Sequence, residues 1–405
     1  MHVRSDIFAI DLGTTKFCLA ALIRHKDKSL MLRTITVPAG GMRRGMLADF
    51  EDAQKRLTDL LDQAERQLDR DIRHVVVGIA GSHLRGQPIS VTLPIERGEV
   101  DHDTLRALCE TAESRVSSDT RELLHVVPLT YRVDQRTGTS NPLRFSGKEI
   151  TGEFFVVDAD RAYLKDVIRL CNQCGLEVVR LYSEPFASAS VTLKDHHKGQ
   201  GVAMLDIGGG TSDGLVFRQG RPCGVFTLNV AGAMMTHDLS LGLNIPPDEA
   251  ERVKLHFGLE SASDLTVTDF SGRRRRVTTQ EVQQILGARV MELAELLGKA
   301  LVTYKGTLGA GLVVTGGGAQ VKGLKGLLQK TYKIPVAVLE PDLGAAAAQA
   351  GTALKDASPM SSPLATALGL LNLEINRLCE DERIKKDFRS RRYLSQFINW
   401  LKELS

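Results

Sequence analysis

The sequence is short of several things, and each shortage removes a class of function. Charge of one sign is missing: 52 basic side chains stand against 49 acidic ones, a net of +3. A balance so nearly neutral gives no bulk electrostatic case for nucleic acid as a partner. Long apolar runs are missing too. No uninterrupted stretch reaches the roughly 18 residues a spanning helix needs. The first apolar run, Ile7 to Ile10, is broken by Asp11, so neither a secretory leader nor a membrane span is expected. Cysteines number six and are scattered; only Cys171 and Cys174 form a CxxC pair, with no second pair at zinc-site spacing. That pair closes an expected helix, Arg161 to Cys174, and reads as an inert helix end, with redox or metal chemistry as the other reading. A reducing cytosol suits this usage. There is no short-period repeat, which excludes a solenoid. There is no GxxxxGKS/T loop, and Gly309-Ala-Gly311 precedes an expected strand instead of following one, so it is no dinucleotide fingerprint.

What is present fits a large globular protein. With 405 residues, 42% hydrophobic and 25% charged, the chain can build two or more domains around sizeable cores. Aromatics are sparse at 5% while glycine is plentiful at 37, so many tight turns are expected. Two segments repeat one theme, Ile7-Phe-Ala-Ile-Asp-Leu-Gly-Thr-Thr-Lys-Phe-Cys-Leu-Ala-Ala-Leu22 and Val202-Ala-Met-Leu-Asp-Ile-Gly-Gly-Gly-Thr-Ser-Asp-Gly-Leu-Val-Phe217. Each is an apolar strand ending in Asp, a Gly/Thr turn and a second apolar strand, which is a hairpin pattern. One lies at the start and one near mid-chain, suggesting related halves. Between and after them, helical periodicity (Asp49 to Leu68, Asp248 to Phe257, Gln280 to Thr303) alternates with strand-like runs (His74 to Ala80, Val126 to Val133, Leu176 to Leu181, Gly311 to Thr315). This alternation predicts an α/β fold. Asn376 to Asp387 is dominated by charge and reads as a linker.

A strand that ends in Asp and turns through Gly-Thr has a chemical use. Glycines let successive backbone N–H groups converge on an anion, forming a phosphate cradle. The hydroxyls of Thr14 and Thr15 and the Lys16 ammonium add donors, and Asp11 or Asp206 at the strand end can hold Mg²⁺, usually through water. Gly13 and the run Gly208, Gly209, Gly210, Thr211 supply two cradles; Thr315-Gly-Gly-Gly-Ala319, after a strand, supplies a third. At these residues the chain resembles the actin, heat-shock-chaperone and sugar-kinase superfamily. The resemblance implies an actin-like (ribonuclease H-like) two-lobed ATPase fold that binds ATP and Mg²⁺. It makes Asp11–Lys16 the first phosphate motif, Asp206 with Gly208–Thr211 the second, and Gly316, Gly317, Gly318 and Ala319 the adenosine motif. It sets Glu251 and Lys254 against the adenosine; their spacing allows both to face one side of a helix, though a surface ion pair has the same spacing. It also places Glu184 where several relatives carry a residue that orients the attacking water, with Asp11 and Asp206 organising the metal. A glutamate set against a helix macrodipole is the alternative for Glu184.

Three further segments narrow the likeness to the FtsA cell-division family: Ala39-Gly-Gly-Met-Arg-Arg-Gly-Met46, Leu123-Leu-His-Val-Val-Pro-Leu-Thr-Tyr-Arg-Val-Asp134 with Asn141-Pro142 and Ser146-Gly147, and Ser362-Pro-Leu-Ala-Thr-Ala-Leu-Gly-Leu370, resembling the family's last core strand. The resemblance implies a first lobe at 1–85 completed by about 358–375, an FtsA-type inserted subdomain at 86–165, a second lobe from 166–228 with 304–357, its partner subdomain at 229–303, a linker at 376–388 and a C-terminal amphipathic helix at 389–405. In that helix Tyr393, Leu394, Phe397, Ile398, Trp400, Leu401 and Leu404 fall on one arc at about 100° per residue, as in an interfacial membrane helix. A terminal helix docked on the protein's own core would show the same stripe. The run Arg273–Arg276 reads as a solvated loop; in an FtsA-like protein Arg274, Arg276 and Arg289 would meet the acidic tail of FtsZ, the tubulin-like ring protein. The expected role is a polymerising adaptor at the cytoplasmic face of the inner membrane that recruits later division proteins, with slow ATP hydrolysis at most. A pilus-assembly actin-like adaptor and a sugar or metabolite kinase are the alternatives.

Overall fold

The computed structural model describes residues 6–27, 29–136, 138–260, 263–344 and 354–387. Two sheets dominate it, and they share one design. In the first, Ile7–Leu12 pairs antiparallel with Lys16–Arg24 and parallel with His74–Ile79. In the second, Val202–Ile207 pairs antiparallel with Ser212–Arg218 and parallel with Gly311–Thr315. The repeated sequence theme is therefore a repeated fold: a hairpin whose first strand lies next to a parallel crossover strand. Both faces of each first strand are covered. Phe8, Ile10 and Leu12 enter one core and Ile7 and Ala9 another, just as Ala203, Leu205 and Ile207 part from Val202 and Met204. Burial on both sides is why these strands read as unbroken apolar runs instead of alternating ones.

The first sheet has six strands, in the order Glu177–Ser183, His74–Ile79, Ile7–Leu12, Lys16–Arg24, Leu30–Pro38 and Leu354–Ala357. The helix Phe50–Leu68 covers one face; Asp49 caps its N-terminus by accepting the Asp52 N–H, and Ala53, Leu57, Leu60, Leu61, Ala64 and Leu68 bury one stripe. The second sheet has five strands, Arg221–Leu228, Ser212–Arg218, Val202–Ile207, Gly311–Thr315 and Val336–Val338. Its outer core takes the helix Thr279–Ala300, opened by a capping box between Thr278 and Glu281. Two helices lie between the sheets. Glu184–Thr192 gives Ala187 and Val191 to the first sheet's inner core and Ala189 to the second's. Ala365–Asp387 crosses it so closely that a Cβ on Gly369 would lie 2.0 Å from the Ala187 carbonyl oxygen. Between His74–Ile79 and Glu177–Ser183 the chain builds a separate three-stranded sheet, Arg85–Pro94, Glu149–Asp160 and Arg121–Val133, packed on the helix His102–Val116.

The structure corrects several expectations. Ser362 to Leu370 is not a core strand but a 3₁₀ turn, Ser362–Leu364, followed by the start of the helix Ala365–Asp387. Leu368, Leu371 and Ile375 are all buried, the i, i+3, i+7 spacing of a helix face. Leu354–Ala357, expected in the second lobe, is the edge strand of the first sheet, parallel to Leu30–Pro38. The charged stretch 376–387 is the second half of that helix and no linker. Residues 161–183, expected mostly in the second lobe, belong to the first: Glu177–Ser183 pairs with His74–Ile79, and Tyr163, Leu164, Val167 and Ile168 fill the first core. The arginine run is not a loop but a strand, Arg274–Val277, paired with Leu265–Thr268. Its alternation is hidden in the sequence because arginine occupies both faces: Arg274 and Arg276 point outward while Val277 is buried beside Leu265. Among the described residues no helix is long and apolar enough to cross a membrane. The stripe from Tyr393 to Leu404 lies outside the described residues.

Candidate functional site

The ends of the two repeated hairpins face each other across a cleft. Asp11, Gly13, Thr14, Thr15 and Lys16 line one wall; Asp206, Gly208, Gly209, Gly210, Thr211 and Asp213 line the other, and Gly316 and Gly317 complete it. The cleft is closed to about 90 Å³, below the roughly 300–1,000 Å³ typical of small-molecule pockets. The walls meet through glycines. A Cβ on Gly209 would lie 2.3 Å from Thr15 Cγ2, and one on Gly210 would lie 2.3 Å from Thr14 Oγ1. Gly316, at φ +88°, has Asp206 Oδ1 2.2 Å from where a Cβ would stand. Here both the positive φ and the close approach require glycine.

Four carboxylates converge on this cleft: Asp11, Asp206 and Asp213, all buried, and Glu184, half-buried at its edge. Desolvation is the largest influence on each and pushes its pKa up. Asp11 rises to about 6, with Lys16 opposing and Asp206 adding to the rise. Asp213 rises to about 6 against the hydroxyls of Thr227 and Thr211, which donate to it at 2.6 and 2.8 Å. Asp206 is raised although Ser188 and Thr366 donate to Oδ2 at 2.5 and 3.1 Å. Glu184, the first residue of its helix, is raised well above the ordinary range, by desolvation and then by Asp11, Asp213 and Asp206. Carboxylates so crowded and so dry are short of positive charge. Lys16 is the cation at the wall, and its Nζ donates to the Pro363 carbonyl.

Behind the second turn, Glu251 and Lys254 sit on the helix Pro247–His256. Lys254 is buried and donates to Glu251 Oε2 (2.6 Å), Thr236 Oγ1 (3.0 Å) and the Gly232 carbonyl (3.2 Å). A Cβ on Gly232 would lie 3.5 Å from Lys254 Nζ, 3.2 Å from the Gly208 carbonyl oxygen and 3.8 Å from Gly318 Cα. Lys254 thus stands buried where the second and third turns meet, whereas the Glu251 side chain is 44% exposed; Ala319, the end of the third turn, is buried. The structure thus gathers all the residues proposed for the first, second and third turns, with Glu184, Glu251 and Lys254.

Several site residues escaped sequence reasoning. Asp213 lies directly across the hairpin from Asp206, a register that counting outward from the Gly208–Thr211 turn would have given. The Thr227 hydroxyl that donates to Asp213 also lies 3.2 Å from the Gly81 carbonyl oxygen, which sets Asp213 beside the root of the inserted sheet. Gly45 lines the cleft; its N–H donates to Thr14 Oγ1 (3.2 Å) and its carbonyl accepts from Tyr163 Oη (2.9 Å). Ser188 and Thr366 carry no motif and could not have been found from spacing.

The remaining candidates lie elsewhere. Arg274 and Arg276 are exposed on the hairpin, Arg276 pairing with Asp264 at 3.0 Å. Arg289 is clasped by Asp238 through two contacts, at 2.6 and 3.1 Å. Cys171 is buried, which lifts its thiol to about 12, and Cys174 is raised by burial as well. Both are free thiols with little thiolate character, as an inert helix end requires.

Comparison with known proteins places this architecture. The family model described as Cell division protein FtsA matches residues 203–369, and that described as SHS2 domain inserted in FTSA matches residues 81–158. The chain is 28% identical over 377 residues to the FtsA of Neisseria meningitidis serogroup B, covering 90% of this chain and 89% of that one. It is 28% identical over 357 residues to the FtsA of Escherichia coli K12, covering 84% of each. With the FtsA of Bacillus subtilis it shares 27% over 344 residues, covering 82% of this chain and 78% of that one. Among solved structures, a PilM-PilN type IV pilus biogenesis complex superposes with a TM-score of 0.62 at 19% identity, over 93% of this chain and 99% of that one. MreB5 of Spiroplasma citri bound to ADP superposes with a TM-score of 0.55 at 14% identity, over 94% and 99%. At these identities the structural likenesses speak to the fold, which is actin-like and two-lobed.

Proposed function

The chain belongs to the FtsA family of cell-division proteins, and from that premise we propose that it is an ATP-binding adaptor that assembles with its own copies and holds FtsZ filaments at the membrane. The observation that carries the ATP reading is the meeting of three glycine turns over buried carboxylates in one cleft. Those residues fit a metal-bound triphosphate. The turns present backbone N–H groups where side chains would block approach, and the carboxylates have a surplus of negative charge that a divalent ion would relieve.

Gly13, Thr14, Thr15 and Lys16 would hold one side of the phosphates, and Gly208 to Thr211 the other. Asp11 and Asp206 would hold the metal through water, while Gly316 to Ala319 with Glu251 and Lys254 would take the adenosine. Bound Mg-ATP would supply a phosphoanhydride bond and the charge that neutralises the cleft. Glu184, protonated more readily than an ordinary carboxyl, is suited to orienting and accepting a proton from a water beside it. With Thr14 against Gly210 and Thr15 against Gly209, the lobes must part for a nucleotide to enter. Occupancy and lobe closure are thereby linked, and a subunit closed around ATP would present a different face to its neighbour than an open one.

The adaptor role draws on two peripheral sites. The apolar arc of Tyr393, Leu394, Phe397, Ile398, Trp400, Leu401 and Leu404 would lie in the interface of an anionic membrane at the division site, each large apolar side chain contributing about 1.5–3 kcal/mol when well buried. Arg274 and Arg276, sharing the outward face of their strand, would receive the acidic FtsZ tail. Arg289, held by Asp238 and Glu292, would join them by exchanging one of these for a carboxylate of the tail. The test is co-sedimentation of FtsZ with anionic vesicles in the presence of this protein. Recruitment that needs both the protein and ATP supports the reading; FtsZ left in solution in every combination overturns it.

A further inference from the structure

His125 stands where the inserted sheet touches the corner that carries Glu184. Its strand, Arg121–Val133, pairs with Glu149–Asp160, and the register slips between Leu123 and His125. A one-residue slip reverses the faces that side chains take, and such bulges re-aim individual residues. The packing shows the result. Leu123 and Val126 lie against the insert's own core, whereas Leu124 lies against the core of the six-stranded sheet. His125 likewise leaves the inserted sheet: its Nε2 accepts the Ser183 N–H at 2.9 Å. Its ring stacks on Phe186, with centroids 4.7 Å apart and planes at 17°.

Ser183 is a pivotal partner. It ends an edge strand that is paired on one side only, by His74–Ile79, and it is the residue from which the helix Glu184–Thr192 starts, without a side-chain cap. The acceptor for its N–H therefore comes from the insert. On the opposite side Glu184 is confined by the main chain, since a Cβ on Gly78 would lie 2.9 Å from Glu184 Cγ. Burial, assisted by Arg180, holds the His125 imidazole down to about 3. The ring stays neutral, with a lone pair on Nε2, throughout the physiological range.

We propose that His125 is a positioning residue through which the inserted sheet and the cleft are coupled: its bond to Ser183 fixes the corner from which Glu184 enters the cleft. Displacing the strand Arg121–Val133 shifts that corner, and closing the cleft around a nucleotide tightens the strand, because coupling of this kind is reciprocal. The inference rests on the ATP reading of the cleft.

Hydrogen exchange on the full chain, with and without Mg-ATP, tests it alongside steady-state turnover. In the wild type, ATP should slow exchange in residues 206–213 and also in 121–133, the latter by about fivefold or more. His125→Met removes the acceptor: the 121–133 response should vanish while the 206–213 response stays, and kcat should fall about tenfold with KM little changed. His125→Gln, whose Oε1 reaches a similar place, should restore both. A wild type that responds at 206–213 but not at 121–133 overturns the inference without needing any variant, as does a response in His125→Met equal to that of the wild type. Glu184→Ala run in parallel separates the two readings: if it leaves turnover unchanged, Glu184 has no role in hydrolysis, whatever His125 does. No response at 206–213 removes the nucleotide reading and this inference together.

Discussion

Replacing Asp213 by asparagine should stabilise the ligand-free protein. Asp213 is buried, with a folded pKa near 6 against an ordinary value of 3.8. Raised pKa values carry a definite sign. The folded state prefers the protonated carboxyl, so the group costs nothing well below pH 3.8, and its penalty grows as pH rises toward 6, where the folded carboxyl ionises. Linkage puts that penalty at about 3 kcal/mol at pH 7.5, roughly half of that at pH 5 and little at pH 4. The asparagine side chain keeps the shape of the aspartate and remains neutral at every pH. Its amide oxygen can still accept from Thr227 or Thr211, the two hydroxyls that face the carboxylate. Urea unfolding of wild type and Asp213→Asn without nucleotide, at pH 7.5, 5 and 4, reads the difference directly. The variant should gain most at pH 7.5 and almost nothing at pH 4, and Mg²⁺ with ATP should stabilise it less than it stabilises the wild type. A variant less stable than wild type at pH 7.5, or a gain that does not depend on pH, would falsify the claim that the cleft is starved of positive charge.

Other consequences follow from the same geometry. Gly316→Ala drives a methyl group into Asp206 Oδ1 and the Ile207 carbonyl at a positive φ; it should lower stability by about 1–3 kcal/mol and abolish ATP binding, measured by thermal shift. Glu184→Ala should slow ATP turnover by about a hundredfold while a fluorescent ATP analogue still binds; turnover at the wild-type rate would remove Glu184 from the chemistry. A chain ending near Lys386 should remain folded, by circular dichroism, yet no longer sediment with anionic vesicles. Charge reversal at Arg274 and Arg276 together should weaken binding of an acidic FtsZ-tail peptide about tenfold or more, with ATP affinity unchanged; reversal at Arg289 should also cost stability, because it repels Asp238.

The cleft is legible in the sequence because its chemistry is local. A strand, an Asp and a glycine turn lie within a dozen residues, and the fold merely brings two copies of that unit face to face. What is not legible depends on pairing across long separations. Ser188 and Thr366 reach Asp206 from helices 18 and 160 residues away, and neither carries a pattern that points there. Apolar residues are dense from Ser362 to Leu370, which suggests a last strand for the first sheet, but leucines at helical spacing serve a helix equally well. Leu354–Ala357, the true edge strand, has only four residues and too little periodicity to register. His125 lies inside an expected strand, yet the bulge beside it decides which way it points, and no propensity reports a bulge.

Calorimetric titration of the full chain with ATP, with and without Mg²⁺, tests the central claim most directly. Saturable binding of one nucleotide per chain, weakened when Mg²⁺ is withheld and lost in Gly316→Ala, is the result expected of a single cleft built from three glycine turns. Absence of binding under all of these conditions, in protein that unfolds cooperatively, would contradict it.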